Sequence, residues 1–302
     1  MPQKHILITG ASGLIGRELT HALLQKGYKV SHLNRKPGHN PEVNSYLWDV
    51  PKGQIDEQCL NGVDTIVHLA GAPIADKRWT KKRKQEIIDS RVQSIGLIYQ
   101  LMRRKPNQVK HVISASGISY YGDCGDEIIT EERAPANDFL GQCCVLWEQA
   151  VDNGSEFNLR IAKFRTGVVL STESGALPVL ARPIKLGFGS PLGNGKQWMP
   201  WIHIDDTVNM YIKAIEDDSV TGAFNMVAPQ PLTNQQLTQA VARQLRRPLW
   251  MPKVPAFAIK LLFGEMSLVI LQSLKASSVK IESAGFTFKY PIIADALKNL
   301  YE

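Results

Sequence analysis

The sequence predicts an α/β protein whose core is a doubly wound parallel sheet, with a smaller lobe in the C-terminal third. The first observation is that short β-rich runs alternate with helical patterns through the N-terminal half. The second is a glycine-rich turn that joins the first of these runs to an amphipathic helix. The third is the glycine- and proline-rich stretch 173–206, which breaks the alternation and predicts loops over the sheet.

The first strand is predicted over HILIT, residues 5–9, and the helix after it carries Ile15, Leu19 and Leu23 on one face. Gly27 is a typical C-terminal stop for that helix. The later β runs are KVSHLNR, SYLWD, TIVHLAG, HVISAS, LRIAKFRTGVVL and GAFNMVAP. Helices are predicted over TNQQLTQAVARQL and within 255–275. We predict a dinucleotide-binding domain over 1–170 plus about 200–228, and a smaller substrate lobe over about 171–199 plus 229–302.

Composition excludes several classes of protein. With 44% hydrophobic and 21% charged residues, the chain matches folded globular usage rather than disorder or a fibrous repeat. The N-terminal apolar run is too short for a signal peptide, and no stretch approaches about 18 continuous apolar residues. A cytoplasmic protein that does not span the membrane is therefore expected. The four cysteines lack metal-ligand spacing, which predicts reduced thiols and no metal site.

The net charge of +7 raises the question of an anionic partner. The densest basic cluster is KRWTKKRK, residues 77–84, and the residues after it show helical spacing of apolar positions. We predict that this cluster lies on solvated first turns of a helix, with a phosphate or nucleic-acid role as the alternative. Because no recognition motif or interleaved aromatic pattern accompanies it, no nucleic-acid partner is expected.

The segment ITGASGLIG is the strongest local signal for a ligand. Glycines at 10, 13 and 16 follow a strand and open an amphipathic helix. Glycine allows a tight turn and close backbone approach, and a helix N-terminus offers N–H groups to a pyrophosphate. The sequence therefore predicts a Rossmann-like dinucleotide site at Gly10, Ser12, Gly13, Leu14 and Ile15. A plain glycine-rich turn is the alternative.

The residue at the end of the second strand predicts which dinucleotide binds. An acid there suits the 2′-hydroxyl of NAD(H), whereas an arginine suits the 2′-phosphate of NADP(H). This strand ends LNRK, so Arg35 stands 19 residues after Gly16 and no carboxylate is present. We predict NADP(H), bound by Arg35 with help from Lys36. The alternative is an arginine in an ordinary exposed turn.

Two further segments are candidates for the same site. Asp49, at the end of SYLWD, is a possible acceptor for the adenine amino group, although an exposed strand-end aspartate is nearly as good an interpretation. HLAG places small residues at a strand end where backbone passes the cofactor, which predicts contacts from Leu69, Ala70 and Gly71. A simple strand-end turn is the alternative for HLAG.

Four segments, in order across about the first 230 residues, resemble the extended short-chain dehydrogenase/reductases: TGASGLIG, HLAG, SASGISYYG and WIHIDD. FLGQCCVLWE, GSPLGNGKQWMPWIHIDD and the tail are most similar to the NAD-dependent epimerase/dehydratase-like family with an extra C-terminal domain. This branch is often labelled nucleoside-diphosphate-sugar epimerase, or cell division inhibitor, a role these residues do not support. The resemblance implies a small, sugar-like substrate and, by analogy, a homodimer.

One part of the family pattern is missing. Active members carry a tyrosine and a lysine four residues apart on a helix beside the nicotinamide, where the lysine charge lowers the tyrosine pKa. Aligning Glu148 with the glutamate that closes this motif puts Leu140 at the tyrosine position and Cys144 at the lysine position. Leucine has no proton to give, so the ordinary tyrosine-driven oxidation of a hydroxyl is lost.

Three residues are candidates for catalysis by other means. Ser116 ends SAS where the superfamily keeps a substrate-binding hydroxyl, with Gly117 as the rival position. Tyr121 and His203 are the other candidates, and a structural histidine is the stronger interpretation of His203. For Cys144 an inert buried thiol is favoured.

Other residues near His203 carry open alternatives. Trp198 and Trp201 predict either an aromatic wall for a substrate ring or packing under a loop. Asp205 and Asp206 are interpreted as the N-cap and first turn of a helix.

Two functions follow from these residues. The first is an NADP(H)-dependent oxidoreductase or epimerase-like enzyme in which Ser116 donates a hydrogen bond to the substrate. The second is a non-catalytic NADPH-binding protein that reports the cofactor level to a partner through the C-terminal lobe.

Overall fold

The main sheet of the computed structural model, which describes residues 4–38 and 40–302, has the strand order β12-β8-β6-β5-β1-β2-β3-β4. All neighbours in it are parallel except β3 and β4. The strands are β1 His5–Thr9, β2 Lys29–Asn34, β3 Asn44–Asp49, β4 Gln54–Ile55, β5 Thr65–His68, β6 His111–Gly117, β7 Ile128–Ile129, β8 Arg160–Thr166, β9 Val168–Leu170, β10 Trp198–Met199, β11 Trp201–His203, β12 Gly222–Met226, β13 Leu232–Thr233 and β14 Lys275–Ala276.

Helices connect the strands and cover both faces of the sheet. They are α1 Leu14–Gln25, α2 Lys81–Arg104, α3 Phe139–Asp152, α4 Ala176–Lys185, α5 Ile204–Glu216, α6 Asn234–Gln244, α7 Ala256–Phe263, α8 Leu268–Leu271, α9 Val279–Ser283 and α10 Ile293–Tyr301. Short 3₁₀ helices span Val50–Lys52, Glu57–Leu60, Ile118–Tyr121, Asn153–Phe157 and Gly264–Ser267.

The two faces of the sheet carry separate apolar cores. On one face, Leu19 and Leu23 of α1 pack with Met210 of α5 against the sheet. On the other, α2 and α3 contribute Ile98 and Val151. Strand β1 is buried along its whole length, as expected for a central parallel strand covered on both faces. The predicted doubly wound α/β fold is therefore confirmed.

A smaller core lies in the C-terminal part. It joins α4, α6 and α10 through apolar side chains that include Ile184, Val241 and Leu297. Residues from β11 and from the segment after β12 also belong to it, among them Trp201 and Ala228. The predicted division into two parts stays a prediction, because this core draws on residues of both.

The basic cluster 77–84 is less solvated than predicted. Helix α2 begins at Lys81 with Thr80 as its N-cap. Arg83 is only 6% exposed, because its guanidinium folds back to the carbonyl of Pro73 and pairs with Asp76 and Glu86. The prediction of solvated charges is therefore wrong at Arg83.

Helix α5 begins two residues earlier than predicted. His203 is its N-cap, since the Nδ1 atom of His203 accepts a hydrogen bond from the backbone N–H of Asp205. The interpretation of Asp205 as N-cap is therefore wrong, since it lies in the first turn, while Asp206 lies in the first turn as predicted.

Two features are absent from the described ranges. No helix within 4–38 and 40–302 combines the length and apolar character needed to cross a membrane. Within the same ranges, no group of three or more His, Cys, Asp or Glu side chains is arranged to hold a metal ion.

Candidate functional site

The loops that follow β1 and β5 meet at the carboxyl edge of the sheet, where Gly10 lies against Leu69, and the space beside them is called the crevice here. Ser12, Gly13 and Gly71 in these loops are exposed, in contrast to the fully buried strand β1. Gly117 at the end of β6 and Val168 after β8 are half-buried. In open parallel sheets, ligands bind outside the carboxyl ends of the strands. The fold therefore brings the predicted glycine loop and HLAG to one edge.

Two of the three loop glycines are required by packing. A Cβ atom on Gly10, which has a φ of +68°, would lie 2.8 Å from the carbonyl carbon of Leu69. A Cβ atom on Gly16 would lie 2.6 Å from the Cα of Ala11. Gly13 differs, because the nearest atom to its Cβ would be the Gly10 carbonyl oxygen at 3.3 Å and the residue is exposed. Gly13 thus faces the crevice.

The N-terminus of α1 has no side-chain cap. Side chains cap α2, α3, α5 and α6, from Thr80, Asp138, His203 and Thr233, whereas α4, α7, α8, α9 and α10 also lack such a cap. The α1 terminus also has no acidic residue in its first turn. Its N–H groups and positive dipole end are therefore available to an external anion.

Thr9 fixes HLAG beside the glycine loop. Its Oγ1 accepts hydrogen bonds from the backbone N–H of Leu69 at 3.1 Å and of Ala70 at 3.2 Å. Gly71 then lies exposed at the crevice. The structure thus brings Gly10–Ile15 and Leu69–Gly71 together, as the sequence predicts for a shared site.

Arg35 lies in a groove of about 850 Å³ next to the glycine loop. Arg17, Arg35 and Lys36 line it, against a single lining carboxylate, Glu42. Arg17 pairs with Glu173 at 2.7 Å, whereas Arg35 and Lys36 form no ion pair with a described residue. Ser12 also lines the groove. The groove is therefore cationic where a 2′-phosphate is predicted.

Asp49 lies outside this groove. Its carboxylate accepts a hydrogen bond from the backbone N–H of Lys52 and pairs with the Lys52 ammonium at 2.8 Å. The Lys52 side chain lowers the Asp49 pKa. The adenine contact of Asp49 stays a prediction, and these local bonds agree with the alternative of a strand-end aspartate.

The residues present fit a phosphate-bearing dinucleotide. The uncapped α1 terminus, the open position at Gly13 and the unpaired cations of the groove offer donors where phosphates carry charge. Gly10, Ser12, Gly13, Leu14 and Ile15 would hold the pyrophosphate, Arg35 and Lys36 a 2′-phosphate, and Leu69–Gly71 the backbone side of the crevice.

The positions of the missing tyrosine and lysine are filled by apolar packing. Leu140 and Cys144 are buried on α3, and the Cys144 Sγ lies 3.6 Å from the carbonyl oxygen of Gly117. Burial raises the pKa of the Cys144 thiol to about 12. This burial agrees with the interpretation of an inert thiol, which stays a prediction, and neither side chain can exchange a proton near neutral pH.

Ser116 is committed to a buried ion pair. Its Oγ donates a hydrogen bond of 2.7 Å to Glu148 Oε1, and Glu148 also binds Arg165 through both of its oxygens at 2.8 and 2.9 Å. All three side chains are buried. The Ser116 hydroxyl already donates its proton to Glu148, so its contacts do not support donation to a substrate. That role stays a prediction.

Tyr121 belongs to the same network. Its hydroxyl donates to Asn225 Oδ1 at 2.7 Å and accepts from Arg165 Nη1 at 2.8 Å. Tyr120 stacks on the Arg165 guanidinium at 3.5 Å. Burial raises the pKa of Tyr121 above its ordinary value, despite the neighbouring arginine. The phenol is thus held protonated and fully bonded.

His203 lies apart from this network. Its ring is 1% exposed, caps α5, and packs against Tyr290 with ring centroids 4.0 Å apart. Burial lowers the His203 pKa to about 4. These contacts agree with the structural alternative, and the catalytic role of His203 stays a prediction.

The two tryptophans of the loop, Trp198 and Trp201, lie in different environments. Trp201 is buried in the C-terminal core and donates to the Gln230 carbonyl. Trp198 is half-buried, donates to Asp126 and has the Lys275 ammonium 4.4 Å from its ring centroid. Trp201 therefore packs under the loop, whereas Trp198 alone keeps a face toward the surface.

Sequence reasoning missed the network around Glu148 and Arg165, and also Arg91. Arg91 is buried on α2 four residues after Ile87 and four before Ile95, both in the core. A charged residue within the apolar stripe of a helix was the available signal. For Arg165 the signal was a charge inside the buried strand β8.

The fold and crevice define a dinucleotide-binding protein of the extended short-chain dehydrogenase/reductase type. The chain belongs to the NAD dependent epimerase/dehydratase family, whose model matches residues 6–226. A domain of unknown function, DUF1731, matches residues 254–300. The predicted family and its extra C-terminal domain are therefore confirmed.

Three relatives illustrate the likeness. Epimerase family protein YfhF of Bacillus subtilis is 34% identical, over 98% of this chain and 97% of its own length. The structure of human epimerase family protein SDR39U1 with NADPH has a TM-score of 0.85 at 28% identity, covering 98% of each chain. A nucleoside-diphosphate sugar epimerase from Corynebacterium glutamicum has a TM-score of 0.81 at 34% identity, covering 99% of this chain and 59% of that one.

Proposed function

We propose that this chain binds NADP(H) along the carboxyl edge of its sheet, with Arg35 selecting the 2′-phosphate. The observation that carries this proposal is the cationic groove in which Arg35 and Lys36 lie unpaired beside the uncapped N-terminus of α1. The human relative, whose structure includes NADPH, supports the same cofactor. When bound, the dinucleotide would supply a hydride at its nicotinamide ring.

Titration with NADPH and NADH, followed by nicotinamide fluorescence, tests the choice of cofactor. Arg35→Ala should weaken NADPH binding about 10- to 100-fold, because a charge-assisted bond to phosphate contributes roughly 1.5–3 kcal/mol, and should leave NADH binding unchanged. Arg104→Ala, at the far end of α2, is the matched control. Equal and weak binding of both dinucleotides by the unmodified protein would overturn the proposal.

We further propose that the protein is non-catalytic and responds to NADP(H). Ser116 and Tyr121 are bonded into a buried network, and Leu140 and Cys144 offer no proton near neutral pH. A hydroxyl oxidation driven by the protein needs a side chain that takes up the proton. None of the four residues at this position meets that need.

Contacts between the crevice loops and the C-terminal segment support a responsive role. Arg78, in the loop after HLAG, donates to the carbonyl of Leu262 at 2.8 Å. Lys84 pairs with Glu265. The side-chain amide of Gln272 donates to Asp138, the N-cap of α3. A change in the loops on cofactor binding would therefore reach residues 262–272 directly.

Hydrogen exchange with and without NADPH tests this role. Protection should rise in the loop 72–80 and also in 256–272, while β12 stays unchanged. A substrate panel should leave bound NADPH unoxidised over hours. Oxidation by any metabolite in the panel, or protection confined to the glycine loop, would contradict the non-catalytic, responsive role.

A second candidate is an oxidoreductase or epimerase-like enzyme for a small, sugar-like substrate. It is favoured by the half-buried stretch 166–169, which begins at the end of β8 and pairs there with Gly117 of β6. Ser116→Ala separates the two candidates. A substrate role predicts lower kcat at unchanged thermal stability. The observed bond to Glu148 instead predicts a lower melting temperature with unchanged NADPH affinity.

A further inference from the structure

Arg91 is a buried cation at the carboxyl edge without a carboxylate partner. Its side chain is 6% exposed, and desolvation by burial lowers its pKa. Its guanidinium donates to the backbone carbonyls of Ile87 at 2.8 Å and Ala72 at 3.1 Å. In the described part of the chain, no Asp or Glu forms an ion pair with it. Other buried arginines here, Arg83 and Arg165, both have carboxylate partners.

The position of Arg91 is specific. A Cβ atom on exposed Gly71 would lie 3.0 Å from the Arg91 Cζ atom, so the guanidinium lies directly beneath the end of HLAG. On its other side it packs over the Trp147 ring, 4.9 Å from the centroid. Its charge lowers the pKa of the Cys143 and Cys144 thiols, against the larger opposite effect of their burial. Arg91 therefore lies between β5 and the turn of α3 where the family's lysine is missing.

The strand order fixes which half of the dinucleotide lies nearest to Arg91. Arg35 follows β2, the glycine loop follows β1, and Gly71 follows β5, which neighbours β6. A dinucleotide whose adenosine phosphate meets Arg35 would extend past the glycine loop toward β5 and β6. Arg91 then faces the nicotinamide half rather than the adenosine half.

We propose that Arg91 is a cofactor-binding residue that holds the nicotinamide-side ribose and phosphate of NADP(H), in place of the absent lysine. This inference rests on the proposed NADP(H) binding. A guanidinium already desolvated and held by carbonyls loses little entropy when it bonds to an anionic ligand, and a buried cation without a counterion is stabilised by one. Gly71 keeps the guanidinium in this position, since a Cβ atom there would lie 3.0 Å from Arg91 Cζ and press on it.

The test compares two probes, NADPH and adenosine 2′,5′-bisphosphate, which lacks the nicotinamide half. Arg91→Met should raise the Kd for NADPH about 10- to 100-fold and leave the Kd for the bisphosphate within about twofold. Arg91→Lys keeps the charge without the planar guanidinium. Its Kd for NADPH should lie between those of the unmodified protein and of Arg91→Met. Arg35→Ala, in contrast, should weaken both probes.

Each outcome decides the matter. Equal weakening of both probes by Arg91→Met, or no change in either, would overturn the role of Arg91 and leave it a clamp for the loop. If Arg91→Met does not fold, the same comparison is read from Arg91→Lys. Failure of the unmodified protein to bind either probe would instead refute the proposed NADP(H) site itself.

Discussion

Two neighbouring regions of the carboxyl edge have opposite chemistry. At the cofactor end, Arg35 and Lys36 are exposed and unpaired among the described residues, and the N-terminus of α1 is uncapped. At the catalytic position, Ser116, Glu148, Arg165 and Tyr121 are buried and bonded to one another. One region offers unused donors to a ligand, whereas the other has used its donors and acceptors internally.

The difference teaches that binding and reaction are separable on this fold. A phosphate site needs free N–H groups and cations, which remain available only if the protein leaves them unpaired. An acid–base site needs a group with a tunable pKa in reach of the ligand. Here burial raises the pKa of Cys144 to about 12, and Leu140 has no proton at all. The first requirement is met and the second is not.

The largest effect is expected from removing Glu148, the residue at the centre of the buried network. Glu148→Ala leaves the Arg165 guanidinium buried without its partner, so the free energy of unfolding should fall by about 3–5 kcal/mol in urea titrations. NADPH affinity of the folded fraction should be retained. Glu156→Ala, which removes an exposed partner of Arg103, is the control and should cost less than about 1 kcal/mol. A small effect of Glu148→Ala would show that the network is not structural.

Reinstalling the family's lysine should destabilise the fold. Cys144→Lys places an ammonium in a buried site near Arg91, where burial and like charge both oppose ionisation. We expect a loss of about 2–4 kcal/mol in the free energy of unfolding. Cys144→Ala should cost only about 1 kcal/mol and serves as the control. A stable lysine variant with raised NADPH affinity would contradict the description of this turn as apolar.

Low pH should destabilise the protein through His68, the buried first residue of HLAG. Burial lowers the His68 pKa to about 3, below its ordinary value of 6.5, and the ring is held by Ser94 and Ser114. The unfolded chain therefore binds the proton more readily, and stability falls as the pH drops below 6.5. The contribution is about 1.4 kcal/mol per pH unit, or roughly 2 kcal/mol at pH 5. His68→Gln should flatten this slope in unfolding titrations, whereas exposed His21→Gln should not.

The smallest expected effect concerns the glycine that faces the crevice. Gly13→Ala keeps an extended backbone and meets only the Gly10 carbonyl at 3.3 Å, so the protein should fold. Its methyl group should obstruct a pyrophosphate and raise the Kd for NADPH about tenfold, or roughly 1.4 kcal/mol. Gly96→Ala, where a Cβ atom meets nothing within 4 Å, is the control and should leave affinity unchanged. Unchanged binding in Gly13→Ala would place the dinucleotide elsewhere.

Much of the cofactor end could be predicted because its signals are local. The glycine spacing, the strand before it and the absence of a carboxylate beside Arg35 all lie within a short stretch of sequence. The helix that carries Leu140 and Cys144 was expected from the family resemblance, and the structure has it as α3. The burial of Arg83 was not, since it depends on a loop that folds back to give its guanidinium the Pro73 carbonyl.

The sequence by itself determined the α/β class, the glycine loop, the arginine at the end of β2 and the loss of the tyrosine and lysine. Each of these depends on backbone and side-chain requirements within a turn or two of the chain. Only the tertiary structure decided which polar groups are hydrogen-bonded within the protein and therefore unavailable to a ligand. Ser116 meets Glu148 across 32 residues, and Tyr121 meets Asn225 across 104 residues. Such pairs form because the strand order β12-β8-β6 brings distant strand ends to one edge, which no local pattern specifies.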